Sequence, residues 1–103
     1  MNLENQKEYF DDFTSKMKSV MLKKGHDYSQ DGRLSNFKRA GAVCGLDAKL
    51  NCLSLIATKV ARLGVLLNSV YEPHNESIQD SVLDLANYSV LLSMILKDEQ
   101  DGL

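Results

Sequence analysis

Glu76, Asp80 and Asp84 recur every four residues in the stretch ESIQDSVLDLANYSVLLSMILK. On a helix that spacing puts them on one side, and Asn87 and Tyr88 fall within the same arc of roughly 80°. Leu83, Leu91 and Met94 border or share that side, while Ile78, Val82, Leu85 and Ala86 form an apolar stripe opposite. The acids therefore sit on a helix that becomes apolar nearly all round, which implies burial on most faces. Clustered carboxylates repel and resist losing water, so they need a cation, either a basic side chain or a metal. Hard divalent ions such as Mg²⁺ take oxygen ligands of this kind. The plainer reading is that Glu76 and Asp80 complement the positive helix end and Asp84 pairs with a lysine.

Lys59 and Arg62, in ATKVARLG, supply the complement. They are neighbours at i,i+3 on the preceding helix. Two readings stay open: they neutralise Asp80 and Asp84 as a structural network, or they bind phosphate while the carboxylates hold Mg²⁺. A third group, His26, Asp27 and Tyr28, lies in KKGHDYS. It could contact a base or assist a proton transfer, or simply be solvated. Asn36 and Phe37 follow, and Phe37 could stack on a base or plug the core.

The elements that position these residues are helices. Strand signals are nearly absent. Helix 1 is expected over about 3–24, with Tyr9, Phe10, Phe13, Met17, Val20 and Met21 as its apolar stripe and Gly25 just past its end. Residues 25–35 read as a polar loop, long for a bundle and suited to function. Ser35 caps a short helix over about 36–44, ended by Gly45. Asp47 caps helix 3, over about 47–70, whose expected seam is Leu50, Leu53, Ile56, Val60, Leu63, Leu67 and Val70. A turn at Pro73 and His74 leads to helix 4, capped by Asn75 and reaching about Lys97, with a frayed tail beyond.

The chain has 103 residues, 44% apolar and 25% charged, with a formal charge of -2. Those values fit one globular domain. There is no basic stripe with interleaved aromatics, so direct DNA or RNA binding is not expected. Cys44 and Cys52 match no zinc spacing, and His26 and His74 do not complete one, so both thiols are expected reduced. The polar, acidic N-terminus is not a signal peptide, and no apolar run approaches membrane-span length. A cytoplasmic protein with no membrane partner is expected.

In this order and spacing, KKGHDYS, LSNFKRAG, LIATKVARLGVLL and ESIQDSVLDLANYSVLL resemble a phage-associated family, nucleotide modification associated domain 1, formerly a domain of unknown function. The resemblance covers about residues 23–92, and DLANY is its most specific piece. That family is similar to the all-α MazG and dimeric dUTPase group of NTP pyrophosphatases. The resemblance implies a MazG-like oligomer in the cytoplasm, that of a bacterial host if phage-encoded. It implies Mg²⁺ on Asp80 and Asp84, with Glu76 one turn earlier, and a nucleoside phosphate as ligand. The family's first acidic pair, ExxE-like, is absent here, and Lys59 and Arg62 occupy that region. Glu8, Asp11 and Asp12 are the acids available on helix 1. The absence bears on hydrolysis more than on binding.

The expected fold is thus an all-α bundle of three long helices and one short one, forming a homodimer or higher oligomer. One expected function is Mg²⁺-dependent processing of a nucleotide. Glu76, Asp80 and Asp84 would hold the metal, and Lys59 and Arg62 would stabilise phosphate charge. His26, Asp27, Tyr28, Asn36, Phe37 and Asn87 would complete the nucleotide site. The alternative is a module that captures a nucleotide, such as a signalling nucleotide, without turning it over. The third option is a structural bundle with an ion-pair network and no ligand.

Overall fold

The chain folds into four helices and, among the described residues, no strand: α1 (Leu3–Asp27), α2 (Gly32–Val43), α3 (Ala48–Leu67) and α4 (Asn75–Asp101). The computed structural model describes residues 1–27, 32–69 and 75–102, and the side chains of 24–27, 32–33 and 75–76 lie outside that description. α3 and α4 form the main packed pair, α2 crosses onto α3, and α1 packs chiefly along α4. Three helices are long and α2 is short, as expected.

The α2–α3 turn is built as its sequence predicts. Gly45 takes φ 74°, in the left-handed region that favours glycine. The Leu46 amide donates to the Gly41 carbonyl at 2.7 Å, and the Gly45 amide to that of Ala42 at 3.2 Å. Those two bonds make a Schellman closure, which satisfies carbonyls at the helix end. Asp47 then caps α3, its Oδ1 accepting from the Leu50 amide at 2.9 Å. This bond and neighbouring Lys49 hold the Asp47 carboxyl below its ordinary value of 3.8. A lowered acid stabilises the fold fully above its unfolded value, and the contribution is lost as pH falls through the lower folded value. Asp47→Ala should therefore lower the melting temperature at pH 7 and leave it nearly unchanged well below pH 3.8. Thermal melts of both proteins from neutral to acid pH check this.

The helix ends need three corrections. α1 runs three residues past Lys24, so Gly25, His26 and Asp27 are helical rather than loop. A glycine near a helix end costs only about 1 kcal/mol against alanine, which packing can override. α2 begins at Gly32, a turn before Ser35. The functional loop expected over 25–35 is thus mostly helix, and Tyr28 lies outside the described residues. α4 continues to Asp101 instead of fraying after Lys97. Ion pairs hold this end: Lys49 with Glu99 at 3.3 Å, Lys38 with Asp98 at 3.6 Å and Lys97 with Asp101 at 3.2 Å.

The core sits between α2, α3 and α4. Its buried apolar members among the described residues are Phe37, Ala48, Cys52, Leu91 and Ile95. Cys52 is fully buried, and its thiol donates to the Tyr88 carbonyl at 3.5 Å. Cys44 is exposed, and both cysteines are in the thiol form. Asn51 Nδ2 donates to the Phe37 carbonyl at 3.2 Å and ties α3 to α2.

Two faces differ from expectation. On α3, Leu50, Leu53, Val60 and Leu67 point outward, and the inner face is built on Ala48, Cys52, Leu55, Ile56 and Lys59. Val70 lies outside the described residues. On α4 the inner seam is Ser81, Asp84, Tyr88, Leu91 and Ile95, whereas Val82 is exposed. An 18-residue stretch of α3 also has the length and hydropathy of a membrane span, with a mean hydropathy of 1.6. The three cations of α3, Lys49, Lys59 and Arg62, are interspersed and break the apolar run without cancelling the average.

Candidate functional site: the α1–α4 groove and the Lys59–Asp84 pair

The acidic ladder is divided between two helix neighbours. Asp84 lies on the α4 seam facing α3, where its Oδ2 meets Lys59 Nζ at 3.0 Å. The two side chains are 22% and 24% exposed, so the pair is largely shielded. Asp80 sits one turn earlier, rotated about 40° around the helix, and it lines a groove against α1. The side chain of Glu76 lies outside the described residues. Among the described residues no group of three His, Cys, Asp or Glu side chains could hold a metal ion. Asp84 has found its cation in Lys59, so its carboxylate does not fit the donor set expected for Mg²⁺.

Among the described residues, the remaining expected site side chains do not converge. Arg62 is exposed on α3, and Asn36 is half-buried on α2. Phe37 is 4% exposed inside the core, so it plugs the bundle and presents no ring for a base. Asn87 is equally buried. Its Nδ2 donates to the Met17 carbonyl at 3.2 Å, and its Oδ1 finds no partner among the described residues. It serves as a clamp between α4 and α1. His26 and Asp27 belong to the last turn of α1, and their side chains lie outside the described residues.

The structure instead brings together a different set, in which Tyr9 and Phe13 were expected in an apolar stripe, Asp80 on a metal, and Lys16 and Gln79 carried no expectation. Tyr9, Asp12, Phe13 and Lys16 of α1 face Gln79, Asp80 and Leu83 of α4 across a groove of about 200 Å³. The spacing 9, 12, 13, 16 is one helical stripe, which is why α1 can line a groove along its length. The Tyr9 and Phe13 rings stack, with centroids 6.4 Å apart and planes 21° from parallel. Tyr9 remains 51% exposed. The groove therefore offers an aromatic surface, one ammonium, two carboxylates from different helices and one amide. The sequence signal was present in the i,i+4 aromatic pair, but it reads equally as core.

In comparisons with known families, characterised proteins and solved structures, no family model, no curated protein and no solved structure matches this chain.

Proposed function

We propose that the protein binds a nucleotide in the α1–α4 groove and does not turn it over. The observation that supports this reading is the composition of the groove itself. The exposed Tyr9 ring, backed by the half-buried Phe13, offers a stacking platform worth roughly 1–3 kcal/mol per base. Gln79 can both donate to and accept from a base edge, and carboxylates accept from ribose hydroxyls or amino groups. Lys16 suits a phosphate as a point charge. Capture is favoured over hydrolysis because Asp84 is engaged by Lys59 rather than left to help gather a metal. The cytoplasm is the compartment that fits such a ligand.

Calorimetry with a panel of nucleotides, each with and without Mg²⁺, tests the reading. Tyr9→Ala should weaken every nucleotide at least fivefold. Lys16→Ala should weaken nucleotides and leave nucleosides unchanged. Chromatography of the bound nucleotide should recover it intact. Conversion to product only with Mg²⁺ would return the hydrolytic reading. A second reading rests on the Lys59–Asp84 pair: a structural bundle without a ligand. It predicts that no nucleotide binds and that Asp84→Asn simply destabilises the fold by stranding Lys59.

A further inference from the structure

α3 is apolar on two faces, and the fold covers only one. Cys52, Leu55, Lys59 and Leu63 turn toward the rest of the chain. Leu50, Leu53, Ala57, Val60, Gly64 and Leu67 are all exposed, the four large ones between 48% and 66%. Their spacing alternates three and four residues without a break, the pattern of a coiled-coil seam. The stripe carries no charge. Of the helix's cations, Lys49 and Lys59 are engaged in ion pairs with Asp47, Glu99 and Asp84.

We propose that this stripe binds the same stripe of a second copy, with the two α3 helices antiparallel across a two-fold axis beside Thr58 and Lys59. In an antiparallel seam each first-type heptad position faces the second type on its partner. Leu50 then lies opposite the partner's Leu67, Leu53 opposite the partner's Gly64, and Ala57 opposite the partner's Val60. Two of these three layers match a large side chain to a small one, and the matching repeats across the axis, as a two-fold interface requires. A parallel seam would set Gly64 and Ala57 against their own copies and leave hollow layers. No Cβ at Gly64 would meet anything within 4 Å in the single chain, so the space is open for a partner's side chain.

The surface area agrees. The chain exposes 7629 Å². A compact monomer of 11.5 kDa should expose about 5,800 Å². The excess is about 1,800 Å², against roughly 800 Å² that each partner gives to a standard interface. A lipid surface would also cover leucines, but it has no use for size-matched layers. The dimer seam lies on α3 and the groove between α1 and α4, so this inference stands independently of the nucleotide reading.

Light scattering after size exclusion should give an even multiple of the 11.5 kDa chain. Gly64→Leu fills the open space and favours helix, yet it should halve that mass. Val60→Glu should do the same, with helical dichroism as the control for folding in both. In a Cys44→Ser background, Leu50→Cys alone should not cross-link. Mixed with Leu67→Cys it should form a disulfide-linked dimer on mild oxidation. A wild-type monomer, an unchanged mass in both folded variants or self-cross-linking of Leu50→Cys would each overturn the proposal. So would a wild-type monomer that floats with phosphatidylcholine vesicles and stops doing so in Val60→Glu.

Discussion

Leu91→Ala is expected to cost about 2–5 kcal/mol, the range for truncating a fully buried leucine. Leu91 is 2% exposed and belongs to a core with few wholly buried apolar members among the described residues. It sits on the α4 seam with Tyr88 and Ile95, facing the helix that carries Cys52. The surrounding helices are held by turns and ion pairs at their ends, so they cannot easily collapse into the void. A domain of this size has about 5–15 kcal/mol of total stability, so the loss is a large fraction of it. Each kcal/mol moves the melting temperature of a 60–100-residue domain by roughly 4–8 °C. Met94→Ala, three residues on, is the internal comparison. Met94 is 43% exposed, so its truncation removes little buried surface. Urea titrations at one fixed protein concentration measure both, because any oligomer makes the midpoint depend on concentration. A Met94→Ala loss equal to or larger than that of Leu91→Ala would mean that the α4 faces are assigned the wrong way round.

That assignment is where reading the sequence alone fell short. Helix number, order and the α2–α3 turn were legible, because Gly45 and Asp47 act through local backbone chemistry that needs no partner. Faces were not. The inner seam of α4 includes Ser81 and Asp84, whereas a rule that sends apolar residues inward selected Val82, which is exposed. Asp84 lies inside because Lys59 compensates it from another helix, a pairing that spacing along one helix cannot reveal. On α3 both faces are apolar, and only the tertiary contacts decide which one the chain itself covers. The groove was harder still. Asp12 and Asp80 are 68 positions apart in sequence, and nothing local says that α1 lies along the first turns of α4. The Lys59–Asp84 complement was the part of the expected site that spacing did anticipate, as one of two open readings.

Gly41→Ala should destabilise the fold by about 1–3 kcal/mol, the usual cost of forcing an extra methyl into a packed site. On propensity alone the change should help, because alanine is about 1 kcal/mol better than glycine inside a helix. Geometry reverses the sign. A Cβ at Gly41 would stand 2.5 Å from the Leu46 carbonyl oxygen and 3.2 Å from that of Asp47. Both are backbone atoms in the turn, so no side chain can swing aside. The same Gly41 carbonyl accepts the 2.7 Å bond from Leu46 that closes α2. Relieving the clash must therefore open the Schellman turn or shift the start of α3, where Asp47 caps the helix. Gly45 gives the contrast: its Cβ position is empty, and only its positive φ resists substitution. Asparagine tolerates that region, so Gly45→Asn should cost less than Gly45→Ala. The expected ranking in a melt is Gly41→Ala as the most damaging, Gly45→Ala next and Gly45→Asn mildest. The consequence extends past stability. α3 carries Lys59 on its inner face and the Leu53–Gly64 stripe on its outer one, and both depend on where the helix begins. A Gly41→Ala protein that still folds should therefore lose mass in light scattering as the seam slips, even at temperatures below its own midpoint. Unchanged assembly together with unchanged stability would show that the α2–α3 turn does not set the register of α3.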